Sequence, residues 1–205
     1  MNTKNNATTH TFRILTPTVD AVIDRVDEII DLHIDVMGYN DTPEFRRNHR
    51  THWIGLAANT TSRLWWALER DTGALAAVAA TRHRDPASPW HRYLVALMVS
   101  SGLDRNEIDK ATNHYNEFHE LHVASWATGY GLGRALTHAA AIEYADEPLL
   151  LITPENAPKA GTKPATGFHA RQGFRPLLRY LPMPPDDRLF AVMYRPAAVE
   201  FDKQK

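Results

Sequence analysis

Apolar residues recur along the chain in two rhythms, and the switches between them predict alternating strands and helices. Residues 12–15 read as a short strand. From Val19 the apolar set Val22, Ile23, Val26, Ile29, Ile30 and Ile34 returns at three- and four-residue steps, predicting one amphipathic helix with Asp20 near its start. A second helix is expected from Thr42, with Pro43 and Glu44 in its first turn, to about Ala58. Bulky residues over 63–70, the turn Asp71-Thr72-Gly73 and the run 74–81 predict an antiparallel hairpin. Ser88-Pro89 and the pair Asp104 and Glu107 predict two helices over 89–115, although 93–99 also fits a strand. Residues 118–126 predict a strand, 129–133 a glycine turn and 134–145 a helix carrying Leu136, Ala140 and Ile142. A strand over 149–152, a loop rich in proline and glycine, a short helix over 168–172 stopped by Gly173, and a strand pair over 177–181 and 189–194 complete an α/β pattern.

Composition narrows the class. A chain of 205 residues is within reach of one core, so residues 12–205 are expected to form a single domain preceded by a frayed polar tail over 1–11. Hydrophobic residues at 43% and charged residues at 23% exclude a wholly disordered chain. Lysine and arginine total 23 against 24 acidic residues, which leaves no uniform field to attract nucleic acid or an anionic membrane. The apolar runs 74–80 and 94–99 fall far short of the roughly 20 residues that span a bilayer. With no apolar secretion signal at the start, the expected location is cytoplasmic. The absence of cysteine removes disulfides, thiolate nucleophiles and cysteine-ligated zinc.

The sharpest signal is the turn Thr128-Gly129-Tyr130-Gly131-Leu132-Gly133-Arg134 between a strand and a helix. Such a turn leaves backbone N–H groups pointing one way, and its glycines let a pyrophosphate approach the main chain where the helix dipole favours negative charge. A glycine-rich connection with no ligand is the competing reading of the turn alone. The alternating glycines do not match G-x-G-x-x-G, the next strand carries no acid, and no G-x-x-x-x-G-K-[ST] occurs, so dinucleotide and P-loop sites are excluded.

Leu121, Val123, Thr128, Gly131 and Gly133 fall where the central motif of the GCN5-related N-acetyltransferases runs L-x-V, a short stretch, then [QR]-x-x-G-x-[GA], and the chain resembles that family. Leu136 matches the apolar position of the following helix, and Asn156 with Phe168-His169-Ala170-Arg171-Gln172-Gly173-Phe174 resembles the family's closing segment, F-Y-x-x-x-G-F. Thr128 replaces the usual glutamine or arginine, His169 replaces the tyrosine, and the 156–168 segment is longer than usual. The resemblance spans 118–174 and implies the family fold: a single mixed central sheet flanked by helices, here with a helical insertion before the central strand. It also implies acetyl-CoA as acyl donor, held by Leu121, Val123, Ala124, Thr128, Gly129, Tyr130, Gly131, Leu132, Gly133, Arg134, Asn156 and Phe168.

An acceptor amine with a pKa near 10.4 is mostly ammonium at neutral pH and needs a base to free its lone pair. Regular strand alternation places Glu117 and His119 on one face with Leu121 and Val123, and Phe118, Glu120 and His122 on the other. Glu117 or His119 is therefore the expected base, as the resemblance implies for this end of the strand; the competing reading is a polar strand end. The odd spacing of His119 and His122 directs their rings to opposite faces, and no metal site is expected. The resemblance further implies that a backbone N–H of Val123 or Ala124 polarises the thioester carbonyl, and that His169 protonates the departing thiolate, best as imidazolium. A small cationic amine is the preferred acceptor. A non-catalytic acyl-CoA sensor and a protein lysine or N-terminal acetyltransferase are the alternatives, and a homodimer stays open.

Overall fold

The computed structural model describes residues 10–156, 164–183 and 186–198. Among these residues seven strands form one sheet: β1 (Phe12–Leu15), β2 (Ser62–Glu69), β3 (Leu75–His83), β4 (Asn116–Val123), β5 (Leu149–Pro154), β6 (Arg175–Met183) and β7 (Asp186–Arg195). Their order is β1-β2-β3-β4-β5-β7-β6. Among the described residues only β4 and β5 pair in parallel, so the chain must cross over between them. Helix α6 (Leu132–Glu143) makes that crossover.

Helices α1 (Val19–Asp24), α2 (Val26–Met37), α3 (Pro43–Ala58), α4 (Pro89–Ser100), α5 (Arg105–Thr112) and α7 (Thr166–Arg171) complete the fold. The caps follow the sequence signals. Thr42, Ser88 and Asp104 each accept a first-turn N–H, with Pro43 and Pro89 in the first turns of α3 and α4. The run 93–99 lies inside α4, so the helical reading of that stretch holds over the strand.

Two boundaries depart from the sequence expectation. The helix expected from Val19 divides at Arg25, whose φ of −117° leaves the helical region and whose guanidinium binds Glu28 and the Gly73 carbonyl at 3.0 Å. The central strand stops at Val123 rather than Trp126, because Ala127 N–H turns back to the Ala124 carbonyl and closes a 3-10 turn over Ser125–Ala127. At the start, Arg70 N–H binds the Thr11 carbonyl at 2.9 Å and the His10 ring packs on Trp126 and Tyr130, which anchors residues 10 and 11; residues 1–9 of the expected tail lie outside the described residues.

Two apolar clusters hold the sheet. In the larger, Val22, Ile29, Ile30 and Trp53 from α1 to α3 and Leu136 and Ala140 from α6 pack against β2 to β4, with Trp65 and Trp66 both in this core. Each such valine, leucine or isoleucine side chain removed from water contributes roughly 1.5–3 kcal/mol. The smaller joins Leu94, Met98 and Ile108 of α4 and α5 to Leu150, Leu178 and Val192. Among the described residues no helix is long and apolar enough to cross a membrane.

Candidate active site

Strands β4 and β5 pair only at Asn116 with Leu149 and Glu117 with Leu150, and beyond those pairs they part. The gap is a pocket walled by 118–123 on one side and 151–154 on the other, with Asp35 of α2 and His169 of α7 at its margins. Antiparallel pairing shows which groups face it. Ala124 N–H is spent on the Ala76 carbonyl at 2.8 Å. Adjacent residues of a strand aim their N–H groups at opposite edges, so Val123 N–H points away from β3, towards the opening. Of the two amides considered for polarising a carbonyl, Val123 alone has that direction.

A β-bulge in β4 rearranges the polar side chains. Glu120 pairs with Ala80 but Phe118 with Thr81, so His119 is an extra residue and the alternation shifts by one. Glu117, paired with Arg82, therefore shares a face with Glu120 and His122, paired with Ala80 and Val78. This corrects the expectation from regular alternation, in which Glu117 and Glu120 point apart. Leu121 and Val123 face α6 instead, where Val123 approaches Gly133.

Around the bulge the charged groups form a connected set. Glu117 is buried and ion-paired with Arg84, and its Oε1 lies 3.5 Å from His119 Nδ1. Burial would raise its pKa, but the His119 hydrogen bond and the charges of His119 and Arg84 outweigh that and hold the carboxyl below the usual range. For His119 burial acts downward, yet Glu117 and Glu120 lift it above the ordinary imidazole value. Glu120 binds His52 Nε2 at 3.1 Å and His122 Nε2 at 2.8 Å, and these bonds overcome burial to keep it well below the ordinary carboxylate range. His33 of α2 stacks on His122 with centroids 4.3 Å apart, and burial and His122 push its pKa down to about 3.

Sequence reasoning named Glu117 and His119 but missed Arg84, Glu120, His52 and His33. Only Glu120 carried a local signal, as an acid beside the expected base; the others arrive from α2, α3 and the end of β3, far off in sequence.

The glycine turn has the geometry a pyrophosphate requires. Gly129 and Gly131 have φ of 92° and 79°, values that disfavour any β-carbon. Leu132, Gly133 and Arg134 occupy the first turn of α6, where N–H groups have no intrahelical acceptor. A Cβ on Gly133 would stand 3.2 Å from the Phe168 ring, so this glycine lets α7 close against α6. The Arg134 guanidinium lies 3.7 Å from where a Gly131 Cβ would sit, adding a cation to the turn. Thr128 and Asn156 line the pocket, whereas the Tyr130 ring folds back onto Phe12 with centroids 5.3 Å apart. The turn thus fits a phosphate-bearing donor, with amide donors, helix dipole and cation converging.

His169 sits against Phe168 and Phe174, 6% exposed, and burial pushes its pKa down to about 4. At neutral pH it is an uncharged imidazole. The expected imidazolium donor does not suit this environment, because the apolar surroundings disfavour the charge that the role needs.

No family model matches the chain. A GCN5-like protein acetyltransferase of Mycobacterium tuberculosis is 27% identical over 189 residues, covering 83% of this chain and 91% of the relative. Among solved structures, a histone acetyltransferase HPA2 and related acetyltransferase of Corynebacterium glutamicum superposes with a TM-score of 0.61 at 18% identity, over 92% of this chain and 97% of that one. In sequence and fold the chain is similar to GCN5-related acetyltransferases. Arabidopsis thaliana NAA60, solved with acetyl-CoA, shares the fold at a TM-score of 0.55 and 16% identity, over 91% and 97% of the two chains. These relatives are acetyltransferases, and the donor bound to the Arabidopsis protein carries phosphates of the kind that the turn at the start of α6 is compatible with.

Proposed function

We propose that the protein moves an acetyl group from acetyl-CoA to a primary amine of a small cationic molecule by direct attack, with His119 as general base. The observation that carries this reading is the bulge, which sets His119 in the wall of the opening between β4 and β5 with its Nδ1 3.5 Å from Glu117 Oε1. The Glu117 carboxylate orients the ring and stabilises the imidazolium that forms when the amine gives up its proton. Glu117 is itself a poor base, since Arg84 holds its charge. Val123 N–H is the donor for the carbonyl oxygen as charge develops there. Amide N–H groups of the glycine turn, Arg134, Thr128 and Asn156 hold the donor. Asp35 and Glu120 line the pocket and favour a cationic acceptor.

A protein amine is the second reading, favoured by the name of the mycobacterial relative. Thiol release from acetyl-CoA, measured against small amines, aminonucleosides and peptides, separates the two. The expected result is turnover with a small amine that falls about 10²–10⁴-fold in His119→Gln. Turnover with peptides alone replaces the small acceptor by a protein. Acetyl-CoA binding with no acceptor-dependent release supports a sensor instead.

A further inference from the structure

We propose that His52, His119 and Glu120 form a binding site for one divalent transition-metal ion of the zinc class, open towards the acceptor pocket. Their ligand atoms all lie within 4.8 Å of one another. Glu120 Oε1 is 3.1 Å from His52 Nε2 and 3.9 Å from His119 Nε2. Zinc bonds of about 2.0–2.2 Å to nitrogen and oxygen place tetrahedral ligands roughly 3.3–3.5 Å apart, a value the two separations bracket. Small side-chain movements suffice to close the set. The bulge makes it possible, since it lets the consecutive residues His119 and Glu120 reach the same side of the strand to meet His52 of α3.

The outer contacts are those that metal ligands use. His119 offers Nε2 to the site while its Nδ1 faces Glu117 Oε1 at 3.5 Å, and Arg84 anchors that carboxylate. Glu120 offers Oε1 while its Oε2 receives His122 Nε2 at 2.8 Å. A carboxylate behind a ligating histidine fixes its tautomer and raises its basicity, and a hydrogen bond behind a ligating carboxylate holds its direction. Two imidazoles and one carboxylate suit zinc better than magnesium or calcium, which prefer oxygen. Three protein ligands leave a fourth position, and His119 and Glu120 both line the pocket into which it would open.

A second triple, His33, Glu120 and His122, is also compact. Its two rings are tilted by only 30° at a centroid distance of 4.3 Å. Each imidazole must place the ion in its own ring plane, and rings stacked this closely do not converge on one point. The pair His52 and His119, tilted by 50° at 5.1 Å, can converge.

An ion at this site takes the Nε2 lone pair of His119, so loading it stops acetyl transfer. Binding is read without any acceptor, which keeps it separate from the identity of the reaction. Tag-free protein stripped with a chelator is titrated with zinc against a chromophoric chelator, and cobalt(II) is added to a second sample for its visible absorption. The expected result is one ion per chain, a tetrahedral cobalt spectrum, and affinity weakened more than about tenfold in His52→Ala and in Glu120→Gln. Glu117→Gln, which alters only the support of His119, is expected to weaken binding about 10–100-fold. His138→Ala, on the exposed side of α6, leaves affinity unchanged. Circular dichroism confirms that each variant is folded. No stoichiometric binding, or binding equal in wild type, His52→Ala and Glu120→Gln, overturns the proposal.

Discussion

Acidification tests the burial of His169. Its imidazole is 6% exposed, Nδ1 has no partner among the described residues, and burial lowers the pKa from 6.5 to about 4. The unfolded chain takes up this proton near pH 6.5 while the folded protein resists until about pH 4, so between those values the unfolded state binds more protons. Stability is therefore complete above about pH 6.5 and is lost as pH falls towards 4. A shift of about 2.5 units at 1.36 kcal/mol each gives about 3 kcal/mol over the whole window, of which about 2 kcal/mol is gone by pH 5. Other buried groups titrate as well, so the measurement is a difference. Urea unfolding of wild type and His169→Phe is followed from pH 8 to pH 5. The variant is expected to gain about 2 kcal/mol relative to wild type over that range. A difference that stays constant within about 0.5 kcal/mol refutes the reasoning and shows that His169 is hydrated or paired in the native state.

Arg84→Ala leaves the buried Glu117 without its cation and is expected to cost about 3–5 kcal/mol, seen as a large fall in Tm. The double variant Arg84→Met/Glu117→Leu removes both charges and should recover most of that loss; an Arg84→Ala protein as stable as wild type shows the pair to be dispensable. At Gly55, inside α3, an added Cβ meets nothing within 4 Å, so Gly55→Ala should stabilise the fold by roughly 0.5–1 kcal/mol in urea unfolding.

Much of the architecture was legible because it is encoded locally. Thr42, Ser88 and Asp104 cap helices through atoms two or three residues away, and Gly73 and Gly173 adopt positive φ where turns were expected. The glycine turn was readable for the same reason, since its backbone geometry depends on the few residues that form it. Arg25 shows the limit: a continuous apolar rhythm predicts one helix, and a contact to Gly73, 48 residues away, accompanies the break.

What the sequence alone determined was thus the order of strands and helices, the phosphate-compatible turn and the polar stretch of β4 opposite it. Tertiary structure decided which polar groups act together. The bulge in β4 is a register relation with β3, and no alternation rule applied to β4 by itself contains it. It turns Glu117 to the face of Glu120, where Arg84 neutralises it, and places His119 between the two acids. His33 and His52 reach that face only because α2 packs on β3 and β4 and α3 packs beside it, against α2 and β2. Short-range preferences are written in neighbouring residues, whereas a site's charge balance is a sum over groups that folding alone brings within a few ångströms.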